Sequence, residues 1–411
     1  MIPLRLERGA SFGMYVHVPF CARHCPYCDF TVAVVSRVPH EAYGGAVVGE
    51  IERRGRAHAG QALRTLYLGG GTPSLWSVGQ IGRVVGCVAR LWGLPPEVTL
   101  EVNPEGVTRE RLEAWRGLGV NRLSFGVQSF SAPVLRTLGR AHSPEGAFRA
   151  VALALEAGFP HVSVDLMHGV PGQGEAEVEA DLRALAALEG VDHVSAYELT
   201  WEPRTSFEAR RVRGMLSVPE QDAVVTLERL QRAGLGELGF ERYEVSSHAR
   251  AGGRSRHNEG YWSGREVLAV GVGAHGLRVS GGMAVRRANT RSLRRYLEAW
   301  SRGELAEPSE EERLTAATHL GERLLTGVRT VSGVDGAALR RRFGEGVVEL
   351  VPLFERWASR GWGRVFDGGF VPSSRALDHA DTLGLDALQH VEARWGGEAF
   401  ARFGLEQVVD T

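Results

Sequence analysis

Two hydrophobic periods alternate along the first two-thirds of the chain. Short apolar or β-branched runs occur at Met14–Val18, Thr65–Leu68, Val98–Val102, Arg122–Val127, His161–Met167 and His193–Leu199. Runs of this length, bounded by turn residues, read as strands. Between them apolar residues recur at helical spacing. Val78, Ile81, Val85, Val88 and Leu91 form one stripe; Leu112, Trp115 and Leu118 form a second; Phe148, Val151 and Leu155 form a third; Leu182, Leu185 and Leu188 form a fourth. Six βα pairs in series predict a parallel sheet with right-handed crossovers. The absence of an obvious dinucleotide fingerprint favours an α/β fold of partial (β/α)6 TIM type over a Rossmann sheet.

After Gly234 the pattern is irregular. Arg250–Arg256 is rich in Gly and Arg and reads as a loop. Pro308-Ser309-Glu310-Glu311-Glu312 predicts a helix start, with Ser309 as N-cap and Glu312 completing a capping box. Leu314, Ala317, Leu324 and Leu325 give that helix an apolar face. The expected organisation is a barrel over 1–235, a closing region over 236–307 and a small, mainly helical C-terminal domain over 308–411. A short β element is expected near Gly363–Val371.

Composition narrows the function classes. The 411 residues carry 48 basic and 49 acidic side chains, a balance that argues against a general nucleic-acid binder. All the basic residues are arginine, a compositional bias to which no function is attached. No apolar run approaches the roughly 18 residues that span a bilayer, so no transmembrane helix is expected. The first residues, with Arg5, Glu7 and Arg8, lack the apolar core of a signal peptide. Only four cysteines occur, and three sit together as Cys21, Cys25 and Cys28. This suits a shared metal in a reducing cytosol better than a disulfide framework. Cys87 falls beside an apolar stripe and reads as a small buried hydrophobe.

In a βα barrel the working residues follow the strands, at the C-terminal rim. Cys21, Cys25 and Cys28 follow strand one. Gly69-Gly70-Gly71-Thr72-Pro73 closes strand two, and Glu101 and Asn103 close strand three. Gln128 ends strand four and Asp165 lies on strand five. Three thiolates on one loop can hold three irons of a [4Fe–4S] cluster and leave the fourth iron open. Zinc is the rival, with His24 or His17 as fourth ligand, but the spacing differs from paired Cys-x-x-Cys hooks. The glycine run offers a backbone edge that a ligand can approach. Glu101 would accept hydrogen bonds from a cationic or hydroxyl-bearing ligand, or serve only as an ion-paired carboxylate.

These residues resemble the radical S-adenosylmethionine (SAM) superfamily. Within it, Tyr15-Val-His17-Val-Pro19-Phe20-Cys21, Gly69–Ser74, Ser124–Phe130, Leu138–His142 and Asp165–Gln173 look like the oxygen-independent coproporphyrinogen III oxidase family and its paralogous heme-chaperone branch. The resemblance runs from about Tyr15 to Tyr296. It implies that Cys21, Cys25 and Cys28 ligate the cluster and that SAM chelates the open iron. It implies SAM contacts at Tyr15, Gly70 and Glu101, and it matches Tyr27, Gly71, Thr72, Gln128, Arg140 and Asp165 to positions that hold a second SAM in the oxidase branch. The implied chemistry is reductive cleavage of SAM to a 5′-deoxyadenosyl radical.

Two branches then compete. The oxidase branch carries a further cysteine two positions after Cys28, where this chain has Phe30. That departure, with the short segment before Cys21, matches the chaperone branch. His257-Asn258-Glu259-Gly260-Tyr261-Trp262 is similar to a motif of that branch proposed to serve heme. His257, Tyr261 and His275 are the candidate axial ligands, with Trp262 a stacking surface. A supporting role for His257, and a plain turn-and-core reading of the motif, stay open. The resemblance implies heme as ligand, heme-acceptor proteins of the respiratory chain as partners, and dimers in some states. The alternative is the oxidase, which converts coproporphyrinogen III to protoporphyrinogen IX.

Overall fold

A computed structural model of the protein describes residues 11–280 and 283–396. Arg5, Glu7 and Arg8, on which the signal-peptide argument rests, lie outside the described residues, as do residues 397–411 of the expected C-terminal domain.

The six expected strands form. They are β1 (Ser11–Val18), β2 (Ala62–Gly70), β3 (Glu97–Val102), β4 (Arg122–Gln128), β5 (His161–His168) and β6 (His193–Glu198), all parallel and in sequence order. Helices at His40–Arg54, Val78–Trp92, Arg109–Gly117, Pro144–Glu156 and Glu175–Ala186 intervene. Their buried stripes include Ile81, Val85 and Val88, Leu112 and Trp115, and Val151, much as the periodicity predicts. Beyond β6 the sheet adds the short antiparallel strands β7 (Glu241–Arg242) and β8 (Ser247–Ala249). On the other side β9 (Glu266–Val270) runs parallel to β1, followed by antiparallel β10 (His275–Ser280), β11 (Met283–Asn289) and β12 (Pro308–Leu314). The strand order is linear, so the barrel is open.

One helix expectation is wrong. Pro308–Leu314 is an edge strand, not the first turns of a helix. Glu311 and Glu312 sit opposite Arg287 and Arg286 of β11 and pair with them at 3.2 Å each. Ser309 Oγ donates to the Ala288 and Asn289 carbonyls and caps nothing. A glutamate-rich run is helical by local preference, but cross-strand charge pairing overrides it. The helix starts at Ala316, where Thr315 Oγ1 accepts from Thr318 N.

The C-terminal region has its own core. Helices Ala316–Gly327, Gly336–Phe343, Val351–Ser359 and Ala380–Trp395 bury Leu320, Leu324, Phe343, Phe354 and Trp357. The expected β element is the hairpin β13 (Gly363–Phe366) and β14 (Gly369–Pro372).

The lower end of the barrel is closed by charge. Arg122, first residue of β4, is 2% exposed and pairs with Glu97, first residue of β3, at 3.2 Å. Its guanidinium also donates to Ser163 Oγ and to the carbonyls of Gly253 and Arg254. Glu97 in turn accepts from the backbone N–H groups of Arg256 and His257 at 3.0 and 2.8 Å. A carboxylate thus caps the start of the Arg256–Trp262 helix. Removing one partner of a fully buried pair leaves an uncompensated charge. Arg122→Met should therefore lower unfolding stability by about 3–5 kcal/mol. The double variant Arg122→Met/Glu97→Gln should recover part of that loss in chemical denaturation.

Candidate functional site

The cysteine loop leaves β1 at Pro19 and is folded back on itself. Phe20 bridges Ala33, Ala33 N donates to Pro19 O at 2.7 Å, and Cys21 N donates to Ala33 O at 3.2 Å. Cys28 N donates to Cys25 O, tightening the second half. The three thiols are half-buried and line one cavity of about 700 Å³ at the C-terminal rim. Burial pushes the Cys21 thiol up, and pushes Cys28 up to about 11. For Cys21 and Cys28 burial outweighs the other influences and favours the thiol, so metal binding must release those protons.

The surroundings fit a cluster. Thr72 Oγ1 donates to Cys21 Sγ and Arg140 Nη1 to Cys25 Sγ, each at 3.6 Å, as outer partners of sulfur ligands do. Gly71 has no room for a side chain: a Cβ there would lie 2.9 Å from Cys21 Sγ and 2.8 Å from the Pro19 carbonyl. Among the described residues no three His, Cys, Asp or Glu side chains converge on a single ion. A cluster needs no such convergence, since each thiolate takes its own iron. His17 is not free to complete a zinc site. Its Nδ1 meets the Tyr15 hydroxyl at 3.1 Å and its Nε2 the Thr31 carbonyl at 2.7 Å. His24 is exposed on the loop.

Across the cavity lies a polar wall. Glu101 accepts from Gly70 N at 2.9 Å and from the Tyr67 hydroxyl at 2.8 Å. Burial raises its carboxyl to about 7 despite these bonds. Asp165, hydrogen-bonded by Ser124 and Ser195, is raised by burial to about 6. Asn103 links the two halves of the wall, donating to Thr72 Oγ1 and accepting from Arg140 Nη2. Arg140 also holds the Gly126 carbonyl at 2.7 Å, while its buried Nε has no partner. Gln128 has φ 70° at the bulged end of β4, a left-handed conformation that costs a non-glycine residue energy. Tyr27, Gly70, Gly71, Thr72, Glu101, Gln128, Arg140 and Asp165 therefore face one cavity with the three cysteines.

Tyr15 is not a wall of that cavity. It packs against Tyr67 and His257 and reaches His17. The proposed heme residues do not join the cavity either. The Arg256–Trp262 helix sits at the opposite, N-terminal end of the strands, against β2 and β9. Only Ser255 and Asn258 of that segment reach the cavity, as its floor. His257 is 3% exposed, stacks on Tyr67 with ring centres 4.8 Å apart, and pairs through Nδ1 with Thr65 Oγ1 at 2.8 Å. Burial lowers it to about 3, so it is neutral, and its Nε2 has no partner. Tyr261 meets His257 edge-on and is 40% exposed, Trp262 lies beneath Arg329, and His275 is exposed at the start of β10.

Sequence reasoning missed Tyr67 and gave Asn103 no role. Both lie two residues from a motif residue on the same strand face, Gly69 and Glu101, and that period was the available signal. Two tests follow. Gly71→Ala should keep the fold and sharply lower iron content after reconstitution. Because Glu101 is neutral below about 7, affinity for an ammonium-bearing ligand such as SAM should fall as pH drops through that value. Glu101→Gln should flatten the profile, as read by equilibrium binding.

Comparison with known proteins agrees with this geometry. The Radical SAM superfamily pattern matches residues 15–185, and that superfamily implies a [4Fe–4S] cluster and SAM. The structure of coproporphyrinogen III oxidase (HemN) from Escherichia coli, described as a radical SAM enzyme, superimposes with TM-score 0.76. The match covers 93% of this chain and 91% of that one, at 23% identity, and shows the shared fold. Heme chaperone HemW of Mycobacterium tuberculosis is 38% identical over 81% of this chain and 86% of its own length. Heme chaperone HemW of Bacillus subtilis is 32% identical over 82% and 88%, and that of Escherichia coli K12 is 37% identical over 70% and 77%. The chain belongs to the HemW family within the radical SAM superfamily.

Proposed function

We propose that this protein is a heme chaperone, binding heme and passing it to acceptor proteins, with respiratory proteins the expected recipients. The observation that carries the reading is Phe30. It stands 63% exposed at the cavity mouth, where the oxidase branch is expected to carry a further thiol. A phenyl ring cannot take part in thiol chemistry but offers an apolar surface to a flat macrocycle. The level of identity to HemW proteins supports the same choice.

Cys21, Cys25 and Cys28 would hold the cluster, whose bound form would supply an electron to SAM at the open iron. The residues around it have separate tasks. Gly70 and Gly71 keep the strand edge bare, so that a ligand can approach the main chain. Glu101 offers a carboxylate to a ligand ammonium or hydroxyl. Tyr27, Gly71, Thr72, Gln128, Arg140 and Asp165 match positions that hold a second SAM in the oxidase branch and would be free here to contact another polar ligand. Thr72 and Arg140 also donate to the Cys21 and Cys25 sulfurs, so ligand binding and the cysteine ligands would share two side chains. The half-enclosed wall limits water near those sulfurs.

The deciding test is anaerobic. The protein with a reconstituted cluster is given reductant, SAM and coproporphyrinogen III, and porphyrins are followed by chromatography; the same preparation is titrated with hemin. The expected outcome is a saturable Soret shift with no decarboxylation. Repeated conversion to protoporphyrinogen IX would make it an oxidase and overturn the proposal. Cys25→Ala should lose the brown cluster absorbance.

A further inference from the structure

Exposed apolar side chains are unevenly spread over this protein. Thirteen large hydrophobic residues are exposed among those described, and seven come from three segments flanking the cavity mouth. Phe30, Val34 and Val35 lie on the cysteine loop. Tyr197 ends β6. Val212 ends the Ser206–Val212 helix, and Met215 and Val218 follow it. Single exposed hydrophobics need no explanation, but a gathered patch does. Phe30 and Tyr197 are also walls of the cavity, so two of the three segments open directly onto it.

The far segment is tied to the cysteine loop. Phe207 N donates to Pro26 O at 2.8 Å, and its ring lies 6.2 Å from that of Tyr27. Leu216 packs into the same small core. Its neighbours Met215 and Val218 are turned outward, 64% and 42% exposed.

Charge decides what fits. Asp29, Glu198 and Glu202 line the mouth itself and outnumber the arginine there, Arg23. Arg204, Arg210 and Arg213 stand on the outer segment, and their side chains make no ion pair or hydrogen bond with the described residues. A ligand with an apolar body and anionic ends would therefore cover the patch and point its anions outward. An anionic lipid surface would suffer from the acidic mouth, whereas a small macrocycle can keep its carboxylates clear of it.

We propose that this rim is the heme seat: the macrocycle lies across Phe30, Val212 and Met215, with its propionates toward Arg204, Arg210 and Arg213. The proposal rests on the heme-chaperone reading. It places heme at the cluster end of the barrel and leaves His257 as a positioning residue of the floor.

The test titrates the full chain, cluster reconstituted, with hemin and with hemin dimethyl ester, reading the Soret band. Val212→Glu/Met215→Glu should weaken both ligands by about tenfold or more. Arg210→Glu/Arg213→Glu should weaken hemin by a similar factor and leave the ester nearly unchanged. Iron content and circular dichroism should match the unmodified protein, since Val212, Arg213 and Met215 are exposed and Arg210 is only half-buried. Unchanged hemin affinity in both pairs, with loss in His257→Ala (or His257→Gln if the first does not fold), would overturn the rim assignment while heme binding stands. Flotation with anionic vesicles that is lost in the rim variants, with hemin affinity intact, would make the rim a lipid surface and overturn it too. Failure of the unmodified protein to bind hemin would instead sink the heme-chaperone reading itself.

Discussion

The buried pair of Arg122 and Glu97 organises more of this molecule than any other single contact. Neither side chain can be left alone in the barrel, because an isolated buried charge costs several kcal/mol. The pair solves this by spending every hydrogen-bonding group it has. Arg122 reaches across to β5 and down to the loop at Gly253, and Glu97 receives the helix that carries His257. The result is a floor whose position is set relative to β3 and β4. The same two strands deliver Glu101 and Gln128 to the rim, about 13 Å and 20 Å away respectively at roughly 3.3 Å per residue.

A second network does the same work on the opposite flank. Glu50, 3% exposed, accepts from Arg54, Gly271 N, Asn289 Nδ2 and the Tyr296 hydroxyl. It joins the first helix to the return of the chain beside β1. Tyr43 bonds both the His17 carbonyl and Val272 N, so the base of the cysteine loop is anchored through its neighbours. The thiols are the ends of a supported structure, not a free loop.

Much of this was legible from residue order. Strands buried on both faces leave continuous apolar runs, and the rim residues follow them by rule. The cysteine loop, the glycine edge and Glu101 were found for that reason, and the structure brings them to one cavity. What was not legible depends on pairings across long separations. The strand at Pro308–Leu314 is decided by Arg286 and Arg287, which a local reading of three glutamates ignores. The side of the barrel on which His257 lies is decided by Glu97 and Tyr67. A motif names its residues but not the end of the strand they visit.

The pairing of β1 with β9 bears on how the chain is made. Phe12 lies beside Glu266, and Tyr15 beside Ala269. At roughly 5–20 residues per second, a ribosome needs on the order of ten to fifty seconds to supply the second member after the first. During that interval one edge of β1 presents unpaired backbone groups, next to the loop that must receive iron and sulfide. Contacts of such separation are slow to close. An early cluster would be built on a half-bordered strand, and a late one on a finished barrel. The order of these two events is a matter of assembly in the cell, and the strand order written into this fold makes the later loading the safer course.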